Sequence, residues 1–145
     1  YVPFRNLMFL SICSSYAESV GADTVWYGAA QVDSLAGYWD GSEEFVHVVN
    51  DVNDLNRENR IAIEAPLLDM SKAEIIEEGI RLGVTYGDTW TCYSNREDGL
   101  ADATTPSSSM RITGFIDAGY EDPIQYVQQE KLAELYKGNK CKKCA

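Results

Sequence analysis

Four groups of residues have the types and spacing that chemistry needs. Val2-Pro3-Phe4-Arg5-Asn6 leads an apolar helical stretch, so Arg5 and Asn6 fall at a helix N-terminus. Free backbone N–H groups there favour anions, and a guanidinium adds bidentate phosphate recognition. The alternative is a helix start that carries a surface Arg. Just after Gly28, the stretch from Ala29 to Ser42 holds Asp33, Ser34, Tyr38, Trp39 and Asp40. Rings of this kind stack on a planar heterocycle, and a carboxylate accepts from an amidine-like edge. Otherwise this is a polar loop whose aromatics fold back onto the core. Lys72 sits in the first turn of a helix, where the macrodipole disfavours a cation. Either the amine is used, for instance on a phosphate, or it is an exposed Lys tolerated at small cost. Last, Cys141-Lys142-Lys143-Cys144 has half the spacing of a zinc site, and Cys92 is available as a third thiolate. The single histidine, His47, lies on a Val-rich helix and reads as no ligand.

These groups need elements to position them. Residues 5 to 20 are apolar nearly all round at helical spacing, which predicts a mostly buried helix with Cys13 as a buried thiol. Gly21 ends it, and Thr24-Val25-Trp26-Tyr27 follows as a strand closing on Gly28. Open α/β sheets bind ligands beyond the carboxyl ends of strands, where the stretch from Ala29 to Ser42 falls. Residues 43 to 56 form an amphipathic pattern with Phe45, Val46, Val49, Val52 and Leu55 on one face. Ile61, Ile63 and Ala65 alternate as a second strand, stopped by Pro66. Ser71 and Glu74 make a capping box for a helix that ends at Gly83, supported by a Glu77–Arg81 pair. A polar loop from 94 to 107 precedes a helix over 108–118, and Asp122-Pro123 opens a last helix reaching Lys137. Two strands are too few for a stable open sheet. The remaining strands must be supplied, and the exposed edge needs a partner or a second copy to cover it.

The chain has 145 residues, of which 45% are hydrophobic, so it can bury a core. Its net charge of −11, with basic residues clustered only from Lys137 to Lys143, argues against a nucleic-acid partner. The stretch Leu7 to Ile12 is too short to span a bilayer, and the start lacks the pattern of a secretory signal. Four cysteines without a disulfide framework suit a cytoplasmic protein. The sequence opens in mid-motif on a residue other than Met, so further N-terminal sequence is expected.

Taken in order, the motifs resemble the 7-cyano-7-deazaguanine (preQ0) synthase family. They are Val2-Pro3-Phe4-Arg5-Asn6, then Gly28 with Asp33, Ser34, Gly37, Tyr38, Trp39 and Asp40 ahead of Phe45. Pro66-Leu67, Ser71-Lys72-Ala73-Glu74, Leu82-Gly83-Val84 and Thr89-Trp90-Thr91-Cys92-Tyr93 follow. Arg111 with Gly114-Phe115, and Ala118 through Ile124, complete the series over residues 2 to 124. The resemblance implies an α/β fold: a partial doubly wound parallel sheet of the ATP-pyrophosphatase (adenine nucleotide alpha hydrolase-like) type in residues 1–91. A small helical C-terminal appendage would occupy 92–145. It further implies ATP- and Mg2+-dependent conversion of 7-carboxy-7-deazaguanine and ammonia to the nitrile through an acyl-adenylate. Lys72 and Asp40 would serve catalysis; Arg5, Asn6 and Gly28 would bind nucleotide; Asp33, Ser34, Tyr38 and Trp39 would bind the 7-deazapurine.

Three departures accompany the resemblance. The family's Ser-Gly-Gly-x-Asp-Ser loop, which cradles the ATP phosphates, is not in this sequence. A homodimer or a complementary N-terminal chain would then complete the enzyme; the alternative is a non-catalytic nucleotide- or deazapurine-binding or accessory subunit. Gly41 stands where the family has a Cys. Of the family's four zinc cysteines only Cys92 is kept, and Asp102, Thr105 and Ser108 occupy the other positions. Zn2+ is either lost, the preferred expectation, or held with Cys141 and Cys144 as replacements.

Overall fold

Two short strands and the helices packed on them build the first 70 residues. The structure is a computed structural model and describes residues 2–56, 58–94 and 96–138. Cys141 and Cys144 lie outside the described residues. Helix α1 (Arg5–Val20) leads into strand β1 (Thr24–Trp26). A short helix α2 (Gln31–Leu35), a 3-10 turn at Trp39–Gly41 and helix α3 (Glu43–Asn53) then return the chain to strand β2 (Ala62–Glu64). The strands pair in parallel, with Val25 opposite Ile63, giving the α/β crossover that the alternating pattern predicts. Leu10, Phe45, Val49 and Ile63 form the core between helices and sheet.

The two edges of this sheet differ. Alternate residues of a parallel strand turn their backbone groups to opposite sides. Ala62 N–H and Glu64 C=O bond toward β1, so those of Ile63 face away. The Asn50 side chain meets them both, accepting from Ile63 N–H at 2.8 Å and donating to its C=O at 2.9 Å. Asn53 does the same for the Ile61 carbonyl at 2.9 Å. The outer edge of β1 has no strand partner among the described residues.

Two expectations for α1 are corrected. Only Leu10 and Ala17 are buried, while Met8, Phe9, Ile12, Tyr16 and Val20 are exposed. Cys13 is exposed too, not a core thiol. A two-stranded sheet covers one stripe of a helix, and the rest of an all-round apolar helix stays bare. For the same reason Val52 and Leu55 remain exposed, and α3 ends at Asn53.

The second compact unit starts at Ser71, so the anticipated boundary at 91–92 falls inside it. Helix α4 (Lys72–Arg81) packs along α5 (Pro106–Ala118), and α6 (Gln129–Gly138) follows. The capping box forms: Ser71 Oγ accepts from Glu74 N–H at 3.3 Å, and Glu74 Oε2 accepts from Ser71 N–H at 2.8 Å. Arg81 pairs with Glu78, one turn back, rather than with Glu77. Helices α4 and α5 approach closely at Gly114, where an added Cβ would lie 2.4 Å from Lys72 Cγ.

Asp122-Pro123 does not open a helix. Residues 122–126 carry no helix; the chain bridges Ala101 on either side of Tyr126, through Gln125 C=O and Val127 N–H, both at 2.9 Å, and then turns at 127–128. Asp122 is instead consumed by Arg111. Its carboxylate takes Arg111 Nε at 2.7 Å and Nη2 at 2.9 Å, and also the Tyr126 hydroxyl at 2.8 Å. The remaining guanidinium donors reach Thr89 Oγ1 at 2.7 Å, Thr89 C=O at 3.1 Å and Tyr86 C=O at 3.0 Å. Both side chains are buried, 7% and 1% exposed. No buried side-chain N or O among the described residues lacks a partner.

Removing one member of such a pair strands a buried charge. Asp122→Ala should therefore lower the unfolding free energy by about 3–5 kcal/mol in urea titrations. The double variant Arg111→Met/Asp122→Leu should lose distinctly less than the sum of the single losses. Additive losses would show that the pair does not act as a unit.

Candidate functional site

At the carboxyl end of β1 the chain turns through Tyr27-Gly28-Ala29, and a cleft of about 510 Å³ opens there. Arg5 and Asn6 enter it from the first turn of α1, Asp33 from α2, and Tyr38, Asp40 and Gly41 from the turn before α3. Backbone conformation positions several of them. Phe4 holds a left-handed φ of 56° ahead of α1, and its ring packs edge-on against Trp39, 5.7 Å between centroids. Such a conformation is uncommon outside Gly, and the ring contact helps hold it, setting the direction in which Arg5 and Asn6 leave. Asp33 Oδ2 accepts from Ala30 N–H at 3.0 Å, fixing the start of α2.

Ser34 and Trp39 do not line the cleft. Ser34 is exposed on α2. Trp39 packs edge-on between Phe4 and Phe45, with 5.2 Å to the latter. Tyr38 lines the cleft.

Two further residues matter that the motif reading left without a role. Tyr27 donates its hydroxyl to the Asp40 backbone carbonyl at 2.6 Å and so ties the strand end to the turn. Burial first, then the charges of Asp40 and Asp33, push its pKa up to about 12; Asn6 and Arg5 oppose that rise. The phenol of Tyr27 thus feels the charged groups that line the cleft. A tyrosine ending a strand immediately before Gly28 was the available signal. Gly41 is the other. It is buried, and a Cβ there would stand 2.6 Å from Asp33 Cβ. The Gly in place of the family's Cys is therefore what lets Asp33 sit where it does.

Lys72 begins α4 in the second unit. Its aliphatic stem lies across Gly114, so packing accounts for a cation in that first turn. In the same unit Cys92 is buried. Its Sγ lies 2.8 Å from Ser94 Oγ, accepts from Asp102 N–H at 3.4 Å and is 4.0 Å from Thr105 Oγ1. Desolvation raises its pKa. Donors from Ser94, Asp102 and Ser108 outweigh that and bring it down to about 6. No group of three His, Cys, Asp or Glu among the described residues converges as a metal-binding set. No helix among them is long and apolar enough to cross a membrane.

Chemically, the cleft offers one guanidinium, an amide, two carboxylates and two phenols. That set can hold a flat molecule with a donor edge and an anionic group.

Comparisons with known proteins agree on a single family. The sequence model described as queuosine biosynthesis protein QueC matches residues 1–119. The chain is 36% identical over 143 residues to the 7-cyano-7-deazaguanine synthase of Thermoplasma volcanium, covering 96% of this chain and 57% of that protein. The Thermoplasma acidophilum relative is 38% identical over 141 residues, and that of Ralstonia pickettii 41% over 132. The chain spans only a little over half the length of these relatives, 57% and 58% respectively.

Two outcomes follow for the cleft. Gly41→Ala should displace α2 and lower stability by about 1–3 kcal/mol, the cost of overpacking, in urea titrations. For Tyr27, the folded pKa lies above the unfolded value near 10. The stability it contributes is therefore fully present below about pH 10 and lost as pH rises through about 12. Tyr27→Phe should abolish a phenol titrating near 12 in ultraviolet difference spectra. An unchanged titration curve would remove Tyr27 from the cleft's charge network.

Proposed function

Because the chain belongs to the QueC family of queuosine biosynthesis proteins, we propose that it is the deazapurine-binding portion of an ATP-dependent 7-cyano-7-deazaguanine synthase with an ATP-pyrophosphatase-type fold. The reaction joins 7-carboxy-7-deazaguanine and ammonia to give the nitrile. ATP, as its Mg2+ complex, would make a carboxylate oxygen a leaving group so that ammonia gives the amide, and a second ATP activation would remove the amide oxygen to give the nitrile. The protein's own residues bind and orient. Asp33 and Asp40 accept from the amino and ring N–H edge of the heterocycle, Tyr38 supplies a stacking face, and Arg5 with Asn6 meets an anionic group. Neutral Tyr27 keeps Asp40 in register through its backbone. The family resemblance gives the Lys72 amine a role on phosphate charge, beyond the packing of its stem.

The observation that carries this reading is the convergence of Arg5, Asp33, Tyr38 and Asp40 in one cleft beyond the carboxyl end of β1. One guanidinium facing two carboxylates is complementary to a guanine-like edge bearing a carboxylate. It is a poor match for a triphosphate, which needs several cations or backbone amides. The phosphate-cradling loop belongs on a complementing segment, on this chain or another. The open edge of β1 supports that arrangement. A shallow apolar groove beside it, lined by Ile12, Tyr16, Val20 and Val25, suits the side chains of an added parallel strand. A second reading is a deazapurine-binding protein without turnover, for which the residues of the cleft would suffice.

Calorimetry with 7-carboxy-7-deazaguanine, and nitrile formation after complementation, test the proposal. Asp40→Ala should weaken binding at least about tenfold, the loss of one charge-assisted hydrogen bond. Lys72→Ala should leave binding intact and cut turnover by about 10²-fold. Unchanged affinity in Asp40→Ala would overturn its substrate role. Tight binding without turnover in the complemented wild type would select the second reading.

A further inference from the structure

The family resemblance implies zinc on four cysteines after Trp90, and the residues of this chain can be tested for that role. The donor set is one thiol, Cys92, with Asp102, Thr105 and Ser108 at the other positions. Zinc takes thiolate, imidazole or carboxylate, and neutral hydroxyls are poor ligands for it. Asp102 is the one other anion, and one of its carboxylate oxygens is engaged elsewhere. Oδ1 accepts from Thr104 N–H at 2.9 Å, the Thr104 hydroxyl at 2.7 Å and the Gln128 amide at 3.2 Å. It is the Asp102 backbone N–H, not the carboxylate, that bonds to the sulfur. Thr105 is likewise occupied: it caps α5, accepting from Ser108 N–H at 3.3 Å, and its hydroxyl lies 2.8 Å from Ser108 Oγ. Ser108 is 1% exposed. These residues do not fit a closed tetrahedral zinc site.

They fit something else. We propose that the zinc site is rebuilt here as a metal-independent hydrogen-bonded hub, in which the Cys92 sulfur and the hydroxyls of Ser94, Thr105 and Ser108 tie the loop after Trp90 to the start of α5. The sulfur accepts from the Asp102 N–H and lies 2.8 Å from Ser94 Oγ and 4.0 Å from Thr105 Oγ1, while the Thr105 hydroxyl donates to Ser108 Oγ at 2.8 Å. Gln128 closes the arrangement from the far side, its Oε1 accepting from Ala103 N–H at 3.0 Å while its amide bonds Asp102. The residues that replace the cysteines therefore act together as one substitute for the ion. The hub owes nothing to the deazapurine cleft and stands or falls separately from the proposed activity.

The experiment uses the full 145-residue chain, expressed with added zinc, with metal content measured by mass spectrometry and melting followed with and without chelator. Wild type should carry essentially no zinc and melt identically in both conditions. Thr105→Val, nearly isosteric, should lower the melting midpoint by about 5 °C through loss of the cap and hub hydroxyl. The triple variant Asp102→Cys/Thr105→Cys/Ser108→Cys should gain one zinc per chain and become chelator-sensitive. One zinc in the wild type, with a lower midpoint in chelator, would overturn the proposal. Loss of that zinc in Cys141→Ser/Cys144→Ser would trace it to the tail. An unchanged midpoint in Thr105→Val, or a triple variant that folds without taking zinc, would overturn it as well.

Discussion

A guanidinium can be buried only if its donors are met, and that requirement at Arg111 orders the second unit. Five N–H groups in a rigid fork cannot be satisfied by one neighbour. Asp122 takes two of them, and the chain must bring backbone carbonyls to the rest, which it does with the 3-10 turn at Tyr86–Asp88 and the extended Thr89. Phe115 flanks the same guanidinium, 5.4 Å from its ring centre. The segment that leaves Thr89 is the one carrying Cys92, so the thiol's surroundings inherit their position from the ion pair. The carboxylate spent on Arg111 is unavailable as a helix cap, and no helix starts at residue 122.

Where local chemistry decides structure, the sequence was readable. Ser71 and Glu74 satisfy each other's backbone, so no distant contact is needed to start α4. Parallel pairing of the two strands followed from the helix–strand alternation. Burial of α1 was not readable, because periodicity reports how apolar a helix is and not how much of the surrounding fold is there to cover it. Asp122-Pro123 misled for the opposite reason. Its local signal was correct, and a partner eleven residues earlier outbid it for the same carboxylate.

The cleft was legible in part on the same grounds. Position relative to a strand end singled out the stretch from Ala29 to Asp40, and chemistry singled out its carboxylates. Side-chain direction within a 3-10 turn has no sequence signature, so neighbours Tyr38 and Trp39 looked alike. The structure separates them: Tyr38 lines the cleft, and the Trp39 ring packs between Phe4 and Phe45. Gly41 was visible only as a missing Cys. Its reason is steric and lies eight residues earlier, at Asp33.

The first unit carries an asymmetry that bears on how such a sheet grows. Asn50 uses both halves of its amide on Ile63, imitating a neighbouring strand and closing that edge without one. Among the described residues the edge of β1 has no such imitation, and Met8, Phe9, Ile12, Tyr16 and Val20 of α1 are exposed. A bare strand edge and a bare apolar stripe are each costly in water, and both are relieved by one event, the arrival of a parallel strand beside β1. Such a strand would also end beside the cleft, since parallel neighbours bring their carboxyl ends to the same side. Under the proposed function, the loop following it would reach the cleft mouth, where a phosphate cradle is required. The edge that most needs covering is thus the edge from which the missing chemistry would be delivered.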